Sequence, residues 1–303
     1  MPKTRQIRKR IVSVRNINKI TRTMERVAQS KIMKLNGRIS DARAFRAALL
    51  RLLPEALGAA LGTSAAEEAL ARHPLTAPRP YGQHVMLLAV TSSRGLCGGY
   101  NAKVLAATRA RMKELAQEGR QTSLVVLGRK GLSFFRYHNQ PVEISLSDID
   151  ENIPFVKLRG VLDEAVARYI SRSVDEVELI STKYVTKAAQ QVRVVRLLPF
   201  EFPRNLPIAP ARTRAGEPLY YVEPSPREVL SSLVPLAVAA ELFCSVLEAM
   251  LGEQAQRSLA MRSASDNAAS MTKTLTRTYN RARQAQITSE MIEIISGSEG
   301  GKE

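Results

Sequence analysis

The chain has 303 residues, of which 45% are hydrophobic, so it is long enough to bury a real core, and general disorder is excluded. Only Cys97 and Cys244 are present, and their spacing fits neither a disulfide framework nor a zinc site, which favours a reducing compartment. The net charge of +17 at pH 7 indicates a polyanionic partner: nucleic acid, anionic lipid or an acidic protein surface.

The positive charge is concentrated at the N-terminal end. Residues 1–53 contain 15 Lys and Arg residues but only two acidic residues, Glu25 and Asp41. Residues 3–53 contain no proline and a single glycine, so they predict one long helix. The basic start resembles an organelle transit peptide, but its pattern continues without a cleavage-like break, and we interpret it as mature structure.

The apolar residues of this helix follow alternating steps of four and three, which is typical of a coiled-coil seam. The positions that obey the pattern are Ile7, Ile11, Val14, Ala28, Ile32, Leu35, Ile39, Ala42, Leu49 and Leu53. The positions that interrupt it are Asn18, Thr21, Glu25 and Arg46. Over the interruption the apolar stripe moves by one residue, so we expect the buried face to move to Ile17, Ile20, Met24 and Val27.

A second long helix is predicted from residue 227 to Gly297, preceded by the N-cap and N1 pair Ser225 and Pro226. Its series of four and three runs from Val229 to Ile292, and fifteen of the nineteen positions are apolar. Among these positions are Arg257, Met261, Ala264, Ala268, Met271, Ala282 and Ala285. The two helices therefore predict an antiparallel coiled coil.

The residues between the helices have a different pattern. Short apolar runs predict strands at Val85–Thr91, Ser123–Gly128, Glu176–Thr182 and Val192–Leu198, with helices at 101–118 and 160–173. Strands that alternate with helices predict a Rossmann-like parallel sheet, inserted between the two long helices in an α/β fold. Residues 54–84 and 199–226 are expected to be connections. The domains are then an N-terminal helix (1–53), a globular α/β domain (54–226) and a C-terminal helix (227–303).

No membrane-spanning segment is expected, because the most apolar run, from Val229 to Leu251, is interrupted by several polar residues.

The glycine-rich sequence Gly95–Asn101 follows the first predicted strand and precedes a helix. Glycines at such a place can bring backbone amides close to a pyrophosphate. However, the spacing GLCGG matches neither the dinucleotide-binding pattern nor the phosphate loop. We interpret these residues as a tight turn between strand and helix, and expect no cofactor.

A catalytic or metal site is not predicted. Cys97 could be a nucleophile only beside a base, and the three histidines, His73, His84 and His138, have no recognisable acidic partner. The acidic residues Asp148, Asp150 and Glu151 form a cluster that we interpret as solvated or helix-capping rather than metal-binding.

Nucleic-acid binding is the main alternative for the basic helix. Such a helix could follow a row of phosphates, but it has no interleaved aromatic residues for base stacking, and its apolar stripe requires burial. We therefore favour a coiled coil with a charged outer face.

Several segments resemble one known family. Residues 7–14 (IRKRIVSV) and 19–31 (KITRTMERVAQSK) resemble the N-terminal helix of the gamma subunits of F-type ATP synthases, and residues 94–101 (RGLCGGYN) resemble a central segment. Residues 264–268 (ASDNA) and 279–290 (YNRARQAQITSE) are similar to the C-terminal signature of that family. The matching segments lie in the family order, so the resemblance covers essentially the whole chain.

The resemblance implies a non-catalytic shaft that rotates inside a hexamer of alternating alpha and beta subunits and couples proton or sodium flow to ATP synthesis or hydrolysis. It implies an epsilon-type subunit and a membrane c-ring as further partners, and a peripheral location at the cytoplasmic face of a bacterial inner membrane. The residues that it implies at rotor–stator contacts are Met24, Cys97, Arg257, Arg283, Gln284 and Thr288.

The chain departs from the family pattern at two positions of the central segment. Ser93 stands where the family commonly has Asp, and Tyr100 stands where it commonly has Leu. We expect the contacts of the glycine turn to differ in detail at these positions.

Overall fold

A computed structural model describes residues 2–61, 63–77, 79, 82–186, 189–201 and 223–299. The helices are α1 (Pro2–Leu61), α2 (Thr63–Arg72), α3 (Tyr100–Gln117), α4 (Arg129–Tyr137), α5 (Phe155–Ile170) and α6 (Pro226–Glu299). The strands are β1 (His84–Val90), β2 (Gln121–Leu127), β3 (Ile144–Leu146), β4 (Glu176–Tyr184) and β5 (Gln190–Leu198). The chain divides into two compact units, which we call the terminal unit (residues 1–30 and 257–303) and the sheet unit (residues 31–256).

The sheet unit is built on one five-stranded sheet with the order β3-β2-β1-β4-β5. β1 pairs in parallel with β2 and with β4, and β2 pairs in parallel with β3. β5 is antiparallel to β4 and closes one edge of the sheet, with Val195 opposite Leu179. This topology confirms the predicted α/β fold with a mainly parallel sheet.

Helices cover both faces of the sheet. Met86, Leu88 and Val90 of β1 belong to a core shared with α1, α5 and α6, whereas the alternate residues Val85, Leu87 and Ala89 pack with α3 and α4. All six side chains are fully or almost fully buried. Because a strand buried on both faces needs apolar residues at successive positions, β1 has a continuous apolar sequence rather than an alternating one.

The predicted connections needed correction. Pro54 does not end α1, which continues to Leu61, and α2 follows within the segment 54–84 that was expected to lack regular structure. Proline lacks an amide donor and disfavours a helix interior, yet Pro235 also lies inside α6. Most of the other expected connection, 199–226, lies outside the described residues.

In the terminal unit the two helices run antiparallel. The Thr4 hydroxyl donates to Gln286 Oε1 at 2.8 Å, near the two chain ends. The Asn18 amide donates to the backbone oxygen of Ser265 at 2.6 Å and to its hydroxyl at 3.1 Å, further along both helices. Residues that increase in number on α1 therefore meet residues that decrease on α6, which confirms the predicted pairing.

The predicted shift of the buried face on α1 is wrong. Ile17, Ile20 and Val27 are 51%, 58% and 50% exposed, whereas Thr21 is buried. The seam continues through polar residues because their hydrogen bonds are satisfied: the Asn18 amide reaches Ser265, and the Thr21 hydroxyl donates to the backbone oxygen of Ile17 at 3.0 Å.

In the terminal unit the buried residues of α6 also depart from the predicted series of alternating steps of four and three. Met261, Ser265 and Ala268 are buried, whereas Met271, which the repeat predicted to be buried, is 55% exposed. Two successive steps of four, from Arg257 to Met261 and on to Ser265, change the phase of the stripe. Such an extra step of four locally unwinds a coiled coil.

One helix satisfies a membrane-span criterion by length and composition. Within residues 226–292 of α6 an 18-residue window reaches a mean hydropathy of 2.0, and 56% of that window is buried inside the protein. In the sheet unit, α6 residues such as Val238, Leu242 and Val246 belong to the common core. Packing against protein therefore accounts for the apolar composition of this part of α6.

The core of the sheet unit predicts a large effect of one truncation on α1. Leu35 is fully buried, so Leu35→Ala should lower the free energy of unfolding by about 2–5 kcal/mol. Met33 lies on the same helix and is 70% exposed, so Met33→Ala should change it by less than about 0.5 kcal/mol. Urea denaturation followed by circular dichroism measures both, and equal losses in the two variants would contradict the placement of Leu35.

Candidate functional site

The glycine-rich turn connects β1 to α3 at the carboxyl end of the parallel strands. Leu96 and Gly98 have φ angles of 61° and 57°, in the left-handed region that favours glycine. The Leu96 side chain is 62% exposed, while Cys97 next to it is only 2% exposed. The turn thus presents Leu96 at its surface and directs the thiol of Cys97 inward.

Hydrogen bonds fill the inside of this turn. Asn101 Oδ1 accepts from the backbone amide of Ser92 at 3.0 Å, and Asn101 Nδ2 donates to Ser92 Oγ at 2.8 Å. The same amide nitrogen lies 3.2 Å from Cys97 Sγ. Tyr100 is buried, and its hydroxyl donates to the backbone oxygen of Val90 at 3.3 Å. These bonds support the interpretation of the segment as a structural turn between a strand and a helix.

Ser93 fixes a neighbouring loop, residues 147–153. Its hydroxyl lies 2.7 Å from the backbone oxygen of Ser147 and 3.1 Å from that of Ile149, and it accepts from the amide of Ile149 at 3.2 Å. A carboxylate at this position could not donate to either carbonyl oxygen. The departure at Ser93 from the family pattern therefore has a direct effect on how this loop is held.

The same loop is attached to α1. Lys31 Nζ lies 2.7 Å from Glu151 Oε2, and Arg38 donates to the backbone oxygens of Glu151 and Ile153. Burial, the largest contribution, acts to raise the pKa of Glu151, but the hydrogen bond and charge of Lys31, a backbone hydrogen bond and the charge of Lys34 together outweigh it, and the pKa is lowered overall. The loop therefore joins the glycine turn to α1.

The acidic cluster of the sequence analysis has separate partners. Asp148 pairs with Arg129, and Asp150 Oδ1 accepts from the backbone amide of Asn152 at 2.9 Å. Together with the pairing of Glu151 with Lys31, these contacts direct the three carboxylates to different partners. Among the described residues there is no group of three or more His, Cys, Asp or Glu side chains that could hold a metal ion.

Among the described residues, the structure also provides no base for Cys97. The side chains within bonding distance of its sulfur are Ser92 and Asn101. His73 Nδ1 accepts from the backbone amide of Leu75, and burial lowers the pKa of His73. His138 bonds with the backbone oxygen of Phe134. These contacts are structural, and none brings an imidazole to the thiol.

The six residues expected at partner contacts occur in both units. Met24, Arg257, Arg283, Gln284 and Thr288 belong to the terminal unit, whereas Cys97 belongs to the sheet unit. Arg283, Gln284 and Thr288 are exposed and Met24 is half-buried. Arg257 is only 7% exposed and Cys97 only 2%. A partner that reaches the glycine turn would therefore touch Leu96 rather than the thiol itself.

The terminal unit also exposes features that the sequence analysis placed elsewhere. Ile17, Ile20 and Val27 form an exposed apolar stripe on α1, next to exposed basic side chains such as Lys19 and Arg26. The sequence pattern marked these apolar positions correctly as a stripe but assigned them to the seam. Their exposure makes the outer face of α1 both basic and partly apolar, which is typical of a surface that meets another protein.

Comparisons with known proteins agree over the whole chain. A family model described as ATP synthase matches residues 3–300. The ATP synthase gamma chain of Frankia casuarinae is 36% identical over 304 residues, covering 97% of this chain and 96% of the relative. The ATP synthase gamma chain of Moorella thermoacetica is 36% identical over 304 residues and covers all of both chains.

Solved structures have the same fold. A chain in the cryo-EM structure of the Euglena gracilis mitochondrial ATP synthase (OSCP/F1/c-ring, rotational state 3) matches 99% of this chain and 94% of its own length, with a TM-score of 0.66 and 16% identity. A chain in the central stalk/c-ring structure of the Tetrahymena thermophila mitochondrial ATP synthase matches 81% of this chain and 99% of its own, with a TM-score of 0.57 and 23% identity.

The attachment of loop 147–153 predicts a pH-dependent contribution to stability. Because the pKa of Glu151 is lowered from 4.5 on folding, its ion pair stabilises the protein fully above that pH and stops doing so as the pH falls through the lower, folded-state pKa. Glu151→Gln should therefore lower the free energy of unfolding by about 1–3 kcal/mol at pH 7, and the difference from the unmodified chain should vanish in acid.

Asp148→Asn supplies the control, because the Asp148 side chain is 76% exposed and its pair with Arg129 should contribute less than about 1 kcal/mol. Urea denaturation at a series of pH values measures both variants. A difference between Glu151→Gln and the unmodified chain that persists unchanged in acid would contradict the assigned pair.

Proposed function

The chain belongs to the family of ATP synthase gamma chains, and from that membership we propose that it works as the rotating central shaft of an F-type ATP synthase. Proteins of this family are subunits of the stalk, and the catalytic sites of the complex are on other subunits. In this proposal the globular domain of residues 54–226 and the paired helices on either side of it rotate as one subunit and couple ion flow to ATP synthesis or hydrolysis.

The proposed partners are a hexamer of alternating alpha and beta subunits, an epsilon-type subunit and the membrane c-ring. The solved structures with this fold are ATP synthase assemblies that contain F1, the rotor, the central stalk or the c-ring. The complex is peripheral and membrane-associated. We place it at the cytoplasmic face of a bacterial inner membrane, which is supported by the bacterial origin of the curated relatives and by the two free cysteines.

The charge distribution supports a rotating contact. The outer face of α1 carries exposed cations such as Arg15, Lys19 and Arg26. Opposite charges attract over several ångströms without requiring interlocking side chains, so a basic shaft can be held beside an acidic sleeve while it turns. We propose Met24, Arg257, Arg283, Gln284 and Thr288, together with the turn at Cys97, as the regions that face the surrounding subunits.

Reconstitution with alpha and beta subunits tests the proposed function. The observation that carries the proposal is the full-length match to gamma chains. We expect the chain to form a stable complex on gel filtration and to raise the rate of ATP hydrolysis above that of alpha and beta subunits alone. Failure to associate, combined with tight salt-sensitive binding to DNA or RNA, would instead favour the nucleic-acid alternative.

Neutralising part of the basic face should weaken coupling more than folding. In Arg15→Gln/Lys19→Gln/Arg26→Gln three exposed cations of α1 are lost, so the rate of ATP-driven ion transport per ATP hydrolysed should fall by about tenfold, while the melting temperature changes by only a few degrees. Transport and hydrolysis are measured in the same reconstituted vesicles.

The matched control removes the same charge from α3. Lys103→Gln/Arg109→Gln/Lys113→Gln also replaces three exposed cations, but on a helix that covers the sheet. This variant should retain transport per ATP hydrolysed. Equal losses in both triple variants, or a parallel loss of helicity and coupling in the α1 variant, would contradict the role of the basic face.

A further inference from the structure

A cluster of charged side chains lies in the sheet unit, where α1, α6 and β5 meet, with its carboxylates largely buried and the Arg43 side chain 51% exposed. We call this cluster the ionic junction. Its members are Arg43 and Arg46 of α1, Arg193 of β5, and Glu241, Ser245 and Glu248 of α6. Glu248 is only 8% exposed and Ser245 is fully buried. The junction therefore places charge within a region that is otherwise apolar, since Val246, Leu247 and Ala249 of α6 are completely buried.

Glu248 is bonded to two other elements at once. Its Oε1 accepts from Arg43 Nη2 at 2.6 Å and from Arg43 Nε at 3.1 Å, which ties α6 to α1. Its Oε2 accepts from Arg193 Nη2 at 3.4 Å, which ties α6 to the edge strand β5. Arg193 Nη2 also donates to Ser245 Oγ at 3.1 Å. One carboxylate thus joins the helix pair to the sheet.

The other acidic residue of the junction makes a simpler connection. Glu241 pairs with Arg46 of α1, and its second oxygen accepts a long bond of 3.5 Å from Ser245 on the same helix. Among the described residues no hydrogen bond joins Glu241 to β5, so Glu241 connects α6 to α1 alone. Burial raises the pKa of Cys244, which lies between these residues in sequence, to about 11, so this thiol stays neutral beside the charges.

Two arginine nitrogens of the junction have no hydrogen-bond acceptor among the described residues. Arg46 Nε and Arg193 Nε are buried and have no hydrogen-bond partner in that part of the chain. Without the carboxylate of Glu248, Arg193 would keep only the hydroxyl of Ser245 as a partner on α6. The link from β5 to α6 through charge therefore depends on Glu248.

Stability alone is a poor explanation for this arrangement. Buried ion pairs are often no more stabilising than apolar side chains of similar size, because both charges lose their hydration. Their bonds are directional, however, so they add a constraint on the angle between elements to the one that side-chain packing sets. Arg43 donates twice to one oxygen of Glu248 and Arg193 donates to the other, so the carboxylate connects three elements and opposes their relative rotation, which matters in a subunit that transmits torque.

We propose that Glu248 is a positioning residue that fixes the orientation of the sheet relative to α1 and α6 within the sheet unit. Rotation of the two helices then turns the sheet by the same angle. The inference rests on the proposed function, because only a rotating subunit requires this stiffness. Glu248 acts through Arg43 on α1 and through Arg193 on β5, and these bonds add to the packing of the apolar core around them.

The torsional stiffness of the subunit tests this role of Glu248 directly. The chain is assembled with alpha and beta subunits, the hexamer is held on a surface, and a bead is attached to the sheet unit through Tyr137→Cys, at a position that is 84% exposed on α4. The angular variance of the bead without nucleotide then reports the stiffness of the subunit. Cys97 and Cys244 are buried, and a complex without Tyr137→Cys gives the background attachment.

Glu248→Gln keeps the shape of the side chain and removes its charge. Because each charge-assisted bond shifts the equilibrium between the bonded and the open arrangement by about tenfold, the angular variance of the bead should rise by at least about twofold. Glu248→Asp keeps the charge and should give an intermediate value. Arg193→Gln breaks only the bonds from β5 to α6 and should also raise the variance. This second variant keeps the test valid if Glu248→Gln assembles poorly. ATP hydrolysis should stay within about twofold of the unmodified complex in each variant.

Glu241→Gln is the matched control, because it removes a carboxylate of the same helix that accepts no direct bond from Arg193, and its variance should remain that of the unmodified complex. Unchanged variance in both Glu248→Gln and Arg193→Gln would overturn the proposal, and so would an equal rise in Glu241→Gln. Failure of the unmodified chain to assemble, or a bead that never turns when ATP is added, would instead overturn the proposed function.

Discussion

Burial of the first part of α6 is the constraint on which the sheet unit depends. From Leu230 to Ala255 this helix contributes a series of buried residues to the same core as α1, α5 and one face of the sheet. A helix surrounded in this way must be apolar on most of its circumference, which is why the same residues reach the hydropathy of a membrane-spanning segment. The small number of aromatic residues is consistent with this close packing, since Ala237, Ala239 and Ala249 allow neighbouring elements to approach.

The charged residues inside this unit have a different role from the apolar ones. Glu178 is 4% exposed and receives two bonds of 2.8 Å from Arg111 of α3, while Glu176 lies between Arg120 and Arg196, each 2.6 Å away. Hydrogen bonds from these arginines outweigh the effect of burial and lower the pKa of Glu176. Such pairs add direction to a core that apolar contacts hold together, and the ionic junction at Glu248 repeats the principle on the other face.

Four of the five strands of the sheet and both long helices could be predicted because their signals are strong and local, whereas the three-residue β3 was not predicted. A short uninterrupted apolar run such as that of β1 indicates a buried strand, and both long helices carry a seam of apolar residues over many turns. The helix α4 was not predicted because its nine residues contain Gly131, and glycine disfavours a helix interior. Close packing of Gly131 against Thr91 explains the glycine, but the sequence does not reveal this contact.

The buried face of α1 could not be predicted in the terminal unit, because the decisive bond joins Asn18 to Ser265, residues far apart in sequence. A polar residue is tolerated in a seam only when the facing residue satisfies it, and the facing residue is known only after the two helices are aligned. The roles of Glu151 and Glu248 were hidden for the same reason. Acidic residues in sequence indicate solvated positions unless their distant arginine and lysine partners are known.

The most direct test of the shaft is electron cryo-microscopy of the chain assembled with alpha and beta subunits. We predict one copy of the chain for each hexamer, with the helices of the terminal unit enclosed by alpha and beta subunits. Particles in which these helices lie on the outer surface of the hexamer, or in which several copies bind each hexamer, would contradict it.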